Sequence, residues 1–375
     1  MDCIIIGAGI MGLFTARELA QAGMKVCVLD QSAVGRESSW AGGGILSPLY
    51  PWRYPEPVQH LARWSQQAYP ELVETLLTDT GIDPERRESG LLVLGDSELV
   101  EAKAWAETYT TSMDILDNAQ LRSLAPALAK KLADSVEQSL WFEQIGQVRN
   151  PSLLKALTKD VLQRGVEIRE QTRVDSLLIY EGKIQGVDTS SGKIEVDKVV
   201  ACSGAWTHDL LQVTDLKVNV QPVKGQMLMY KASPELLKQI ILNGDRYVIP
   251  RRDGRILIGS TLEHTGFDKS TSQQANDDLQ HAAKQIIPAL ADYPIERHWA
   301  GLRPGTVDGI PYIYADKKVD GLFVNSGHFR NGVVLAPASA RLTADLVLQR
   351  KPIIEPKFFL GQGVAESSDE PMALN

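Results

Sequence analysis

Cys3-Ile4-Ile5-Ile6-Gly7-Ala8-Gly9-Ile10-Met11-Gly12 opens the chain and decides its fold class. Four consecutive apolar residues suit a parallel strand buried on both faces. The glycines Gly7, Gly9 and Gly12 permit a tight turn and a close approach of backbone to a ligand. From Ile10 to Ala22 the pattern is helical, with Gly23 as its stop, and Lys25 to Leu29 is a second strand. A helix N-terminus offers free N–H groups and partial positive charge to a pyrophosphate. Asp30, at the end of the second strand, is placed to accept bonds from ribose hydroxyls. The opening is therefore a βαβ dinucleotide-binding unit, and by itself it leaves NAD and FAD equally open.

Further along, Trp40-Ala-Gly-Gly-Gly44-Ile45 is a glycine-rich loop, and Pro48, Pro51, Pro55 and Pro57 mark a change of character. Helical spacing returns from Glu56 to Thr78, then a strand at Leu91 to Leu94 and two more helical stretches before Trp141-Phe142. Pro151 fits the first turn of a helix that Gly165 closes. Val174 to Tyr180, Lys183 to Asp188 and Lys193 to Val196 read as a meander, and Lys198 to Cys202 as a buried strand. Strands dominate from Val218 to Arg303. There, Asp253-Gly254 predicts a two-residue hairpin loop that places Tyr247 opposite Ser260, with Leu262 on the same face. Leu322 to Asn325 is a last strand, followed by a helix kinked or started by Pro337. The expected fold is α/β. A discontinuous Rossmann-like domain (1–50, 146–215 and 315–352) is joined to an α+β domain with a mainly antiparallel sheet (51–145 and 216–314), and residues 360–375 form a disordered acidic tail.

Composition excludes several classes. The 375 residues are 43% apolar and 23% charged, as ordinary globular chains are, and the formal charge is −8, the wrong sign for a nucleic-acid binder. Cys3, Cys27 and Cys202 lie in apolar runs and need no oxidising compartment. The apolar N-terminal run follows Asp2 rather than a basic stretch and is interrupted by glycine, so no signal peptide is expected, and no run is long enough to span a membrane. A soluble cytoplasmic homo-oligomer is the expectation. The histidines are scattered without metal-ligand spacing, and there is no Gly-x-Ser-x-Gly elbow.

The choice between FAD and NAD rests on what four later segments resemble. Lys198-Val-Val-Ala-Cys-Ser-Gly204-Ala-Trp206 is an apolar strand ending in Ala-x-x-Gly. Ala300-Gly-Leu-Arg303-Pro-Gly-Thr-Val-Asp308-Gly and Gly327-His-Phe-Arg330-Asn-Gly-Val-Val-Leu-Ala-Pro337, with Tyr247-Val-Ile-Pro-Arg251, are more selective than the glycine fingerprint. Together they resemble the D-amino acid oxidase superfamily, and within it the glycine oxidase family, over about residues 1–350. The resemblance implies a D-amino acid oxidase-like fold and non-covalent FAD. It assigns Gly7, Gly9, Ile10, Met11, Gly12, Asp30 and Gln31 to the adenosine and pyrophosphate part, and Val174 to adenine. It gives Ser38, Ser39, Gly43, Gly44 and Ile45 to the ribityl chain and ring, and Gly204 to the second FAD segment. His328, Phe329, Arg330, Asn331, Gly332, Val333 and Val334 fall to the pyrimidine edge. Arg303, Tyr247 and Arg330 match the catalytic, substrate end, with Ile45 and Leu262 in the pocket where family members often carry methionine. Arg303 is also the residue type that grips a carboxylate with two parallel bonds. Its bland alternative is a structural salt bridge, and that of Tyr247 is ordinary sheet packing.

The implied activity is oxidative deamination of glycine or another small amino acid such as sarcosine or D-alanine. Hydride leaves the α-carbon for flavin N5, giving an imine, then an oxo acid and ammonia, with molecular oxygen reduced to hydrogen peroxide. Thiamine thiazole biosynthesis is the implied setting. The alternatives are a sarcosine oxidase or D-amino acid dehydrogenase of the same superfamily, an NAD-dependent dehydrogenase, and a non-catalytic flavin-binding protein.

Overall fold

The computed structural model describes residues 1–212 and 218–360. One sheet has six strands in the order Tyr312–Ala315, Leu322–Ser326, Val199–Ala201, Cys3–Ile6, Val26–Leu29, Glu167–Arg169. All neighbours are parallel except the first pair, which is antiparallel. Cys3, Ile4 and Ile5 are fully buried because helices cover one face of this sheet and the Gly192–Glu195, Lys183–Thr189, Val174–Tyr180 meander packs toward the other. Each such aliphatic side chain contributes roughly 1.5–3 kcal/mol on burial. The helix Ile10–Gln21 ends at Ala22, and Gly23 follows at φ +88°, as a helix stop requires.

A second, eight-stranded sheet runs Ile295–Gly305, Gln221–Lys231, Arg255–Gly259, Arg246–Pro250, Ile240–Asn243, Leu91–Leu94, Ser139–Phe142, Asp114–Leu116. It is antiparallel except where Ile240–Asn243 meets Leu91–Leu94. Its helix Gln273–Ile286 is capped by the Ser272 hydroxyl, which accepts from the Ala275 amide. Among the described residues no helix is long and apolar enough to cross a membrane, and no His/Cys/Asp/Glu cluster could hold a metal.

One sequence expectation needs correction, and one alternative is decided. The hairpin loop has three residues, not two. The Arg251 amide donates to the Arg255 carbonyl, Gly254 adopts φ +86°, and Tyr247 pairs with Gly259 rather than Ser260. A glycine in the left-handed region favours this bulged loop over the tight one, and the slip of one residue exchanges the two faces. The last helix, Gly332–Val347, begins five residues before Pro337, which sits inside it. The missing proline N–H leaves the Val333 carbonyl free, and the buried Tyr69 hydroxyl donates to it at 2.5 Å. The next amide, Ala338, donates to Ser65 Oγ at 3.0 Å. Tyr69 and Ser65 lie one turn apart on the helix Glu56–Thr80, so the break is sealed from outside. The strand Tyr312–Ala315 was not foreseen, and three short helices replace two before Trp141. Apart from Leu360, the expected tail lies outside the described residues, as does the boundary at 215–216.

Candidate active site

A cavity of about 450 Å³ is lined by residues from both large sheets. At one end stand Asp30, Gln31, Thr172, Arg173 and Val174; at the other, Ile45, Met227, Tyr247, Arg303 and Arg330. Two helices present their N-termini to it. Gly9, Ile10 and Met11 line it at the start of the first helix, which has neither a capping side chain nor an acidic residue in its first turn. The Ile10 amide donates to Ser39 Oγ at 2.9 Å. Gly332 and Val333 line it at the start of the last helix, which is likewise uncapped. Both N-termini carry partial positive charge toward the cavity.

The glycine turn fits a dinucleotide. A Cβ on Gly7 would lie 2.5 Å from the Cys202 carbonyl oxygen, and one on Gly12 would lie 1.8 Å from that of Gly7. Only bare backbone lets the turn, the helix and the neighbouring strand close up here. Asp30 Oδ2 accepts from the Ala8 amide at 2.7 Å and Oδ1 from the Ser32 amide at 2.8 Å. Burial raises the Asp30 pKa, while those hydrogen bonds oppose the rise. The carboxylate is thus fixed in orientation, with acceptor capacity left for hydroxyl donors. These residues fit FAD as they would fit any ligand with a pyrophosphate and a ribose diol.

The other end is cationic. Arg303 extends from the strand Ile295–Gly305, and its Nη2 donates to Ser260 Oγ at 2.7 Å. Its Nη1 reaches the carbonyls of Thr261 and Lys224 at 3.3 and 3.4 Å. Among the described residues no carboxylate pairs with Arg303 or with Arg330. Burial lowers the Arg303 pKa, with Arg330 acting in the same direction and Tyr247 and the more distant Glu263 carboxylate against it. Tyr247 is buried, and its hydroxyl donates to Met227 Sδ at 3.7 Å. Two guanidiniums without acidic partners, in a chain of net charge −8, mark a place built for an anion.

His328 is turned away from such a role. Its Nε2 shares a hydrogen bond with Ser339 Oγ at 3.0 Å, and burial pushes its pKa down to about 3. The ring is neutral in the folded chain and takes up a proton at about pH 6.5 when unfolded. Its contribution is complete above about pH 6.5 and is lost as pH falls toward about 3, at up to about 1.4 kcal/mol per pH unit. His328→Asn should therefore show a shallower fall of Tm with acid across that window than the parent, as a thermal-melt series would read.

Most residues singled out in the sequence come together around this cavity: Gly7, Gly9, Ile10, Met11, Asp30, Gln31, Ser38, Ser39, Gly43, Gly44, Ile45, Val174, Gly204, Tyr247, Arg303, His328, Phe329, Arg330, Gly332 and Val333. Gly12, Asn331 and Val334 are not in its wall and lie buried. Leu262 does not reach it. It is 53% exposed and lies beyond the end of the strand Arg255–Gly259. Sequence reasoning missed Met227, Gly225, Ser47 and Leu49 in the wall. Gly225 had a legible signal: a glycine inside a strand marks close approach of another group. A Cβ there would lie 2.1 Å from Arg303 Nη2.

One loop touches two residues of the wall, Trp206 and Glu37. Phe267 stacks on Trp206 with ring centroids 5.5 Å apart, and Lys269 pairs with Glu37 at 2.9 Å. The buried Lys224 anchors the same loop through Asp268 at 2.8 Å and Glu263 at 3.3 Å.

A parallel βαβ sheet and an antiparallel sheet that share one cavity, with helix N-termini at one part and guanidiniums at another, define a dinucleotide-dependent oxidoreductase. The "FAD dependent oxidoreductase" family (DAO) matches residues 2–346. A glycine oxidase of Pseudomonas aeruginosa is 46% identical over 354 residues, covering 94% of this chain and 96% of its own. The "Bifunctional protein ThiO/ThiG" of Trichormus variabilis is 32% identical, and the match covers 99% of this chain and 56% of that protein. The crystal structure of glycine oxidase from Geobacillus kaustophilus superimposes with a TM-score of 0.92 at 29% identity, over 97% of this chain and 99% of that one. The chain belongs to the FAD-dependent oxidoreductase (DAO) family and, within it, to the glycine oxidase family, and its cofactor is FAD.

Proposed function

We propose that this protein oxidatively deaminates glycine or a similarly small amino acid. The observation that carries the reading is the pair Arg303 and Arg330, without a carboxylate partner among the described residues, in the cavity that also holds the dinucleotide turn. FAD, when bound, supplies the two-electron acceptor. Arg303 takes the substrate carboxylate on its planar fork, and the Tyr247 hydroxyl donates to the same group. Two nearby guanidiniums disfavour a third positive charge, so they favour the neutral amine over the ammonium. The chain's contribution is orientation and electrostatics, and no side chain is assigned as a base toward carbon. His328, neutral and bonded to Ser339, is not one.

The products are an imine, then an oxo acid and ammonia, with oxygen as final acceptor and hydrogen peroxide released. Relatives named glycine oxidase support glycine as substrate, and the ThiO/ThiG relative supports a place in thiamine thiazole synthesis. We assign the adenosine, ribityl and pyrimidine contacts to the residues set out above, without a covalent link. The parallel sheet with its meander forms the FAD part, and the antiparallel sheet forms the substrate part. A homo-oligomer in the cytoplasm is the proposed setting.

Anaerobic mixing of the purified yellow protein with glycine should bleach the flavin absorbance, faster as pH rises and the amine loses its proton. Admitting air should restore the colour and release peroxide. Sarcosine and D-alanine, tested alongside, rank the substrates. An unchanged spectrum with all three would overturn the proposal.

A further inference from the structure

Arg251 is 6% exposed and stands at the foot of the hairpin strand that carries Tyr247. Among the described residues it has no carboxylate partner; its guanidinium is spent on neutral acceptors. Nη2 donates to the Gly43 carbonyl at 2.8 Å. Nη1 donates to Gln147 Oε1 at 2.6 Å and to the Val148 carbonyl at 2.9 Å. Gln147 in turn donates through Nε2 to the Pro250 carbonyl at 2.9 Å, and the Val148 amide donates to the Gly44 carbonyl at 2.9 Å. The result is a closed set of bonds joining three strands of sequence: 43–44, 147–148 and 250–251.

The Gly43 loop touches the hairpin from a second side. A Cβ on Gly43 would lie 2.6 Å from Ile249 Cδ1 and 3.5 Å from Tyr247 Cε2. Gly42-Gly43-Gly44 has no side chains with which to fix itself, so its shape is set by what grips its backbone. A buried guanidinium without a counter-ion is costly, and neutral acceptors alone compensate it poorly. Burial pulls the Arg251 pKa down to about 10, so the charge persists at neutral pH. A structural brace needs no such charge. A two-armed donor that fixes one loop against another does need the fork, which lysine lacks.

We propose that Arg251 is a positioning residue that locks the Gly43 segment against the hairpin bearing Tyr247, setting the distance between the flavin-side loop and the substrate clamp. The inference rests on the reading that Gly43 and Gly44 border the flavin. Displacements of about 1 Å at such a site cost up to about a hundredfold in rate. The FAD contacts at Gly7 to Met11 and Asp30 lie elsewhere, so cofactor content should survive.

The test compares holoenzyme of the parent, Arg251→Lys and Arg251→Met. Three quantities are read: kcat per bound FAD, the visible flavin spectrum, and the Kd for acetate, a non-oxidisable carboxylate, from the spectral change it causes. Both variants should retain FAD, show a shifted flavin band, and lose about tenfold to a hundredfold in kcat per bound FAD, lysine less than methionine. Should Arg251→Met not fold, Arg251→Lys carries the test alone. Parental spectrum and parental kcat per bound FAD in Arg251→Lys would overturn the proposal, whatever its melting temperature. A parent whose spectrum ignores acetate, glycine, sarcosine and D-alanine would instead overturn the substrate reading, and the flavin band of Arg251→Lys would still decide the role of Arg251.

Discussion

Arg303→Lys should raise KM for the amino acid so far that kcat/KM falls about a hundredfold to a thousandfold, while FAD content stays near that of the parent. The reason is geometric. The guanidinium is held by one short bond to Ser260 Oγ and two long ones to carbonyls, all neutral. Its charge is therefore available to a carboxylate, and its fork fixes that carboxylate in one plane. An ammonium in the same place keeps the charge and loses the plane. The loss corresponds to about 3–4 kcal/mol of transition-state binding. Steady-state kinetics together with the flavin-to-protein absorbance ratio check the expectation. A loss of flavin as large as the loss of efficiency would mean that Arg303 serves the fold instead.

Gly225→Ala should reproduce much of that defect without touching a charged residue. The added methyl would sit 2.1–2.3 Å from the guanidinium atoms of Arg303. The far end of a long side chain can swing aside, so the strand Gln221–Lys231 should still form between its two neighbours. The swing takes the fork away from its carboxylate, and KM should rise about tenfold or more with Tm nearly unchanged. Combining Gly225→Ala with Arg303→Lys should cost less than the two effects added together, because both act through one group. Full additivity in the double variant would separate the two residues and remove this account of the glycine.

What the sequence made legible follows from which signals are local. A parallel strand buried on both faces writes itself as an unbroken apolar run, and Cys3–Ile6 and Val199–Ala201 were readable for that reason. Asp253-Gly254 correctly marked the hairpin tip, but loop length depends on one backbone dihedral at Gly254, and a single residue of slip put Gly259, not Ser260, opposite Tyr247. Pro337 was readable as a kink within a helix or as the start of one, and the second reading assumes that the freed carbonyl goes unpaired. Tyr69 and Ser65, from a helix far away in sequence, make that assumption fail. At the site, residues with charge or a glycine fingerprint stood out, whereas Met227 reads in sequence as an ordinary strand residue. Arg251 was visible only as part of a family motif. Its three acceptors are backbone and amide groups that no pattern of residue types announces.

The six-stranded sheet is assembled from residues 3–29, 167–201 and 312–326. A chain growing from its N-terminus can pair Cys3–Ile6 with Val26–Leu29 almost at once. It must then wait through most of synthesis for Leu322–Ser326, the partner of Val199–Ala201. Until the ribosome has released roughly nine-tenths of the polypeptide, an apolar strand edge is left open to any passing β-prone segment. Truncation before that last strand would thus yield a sticky nascent chain, not a smaller enzyme.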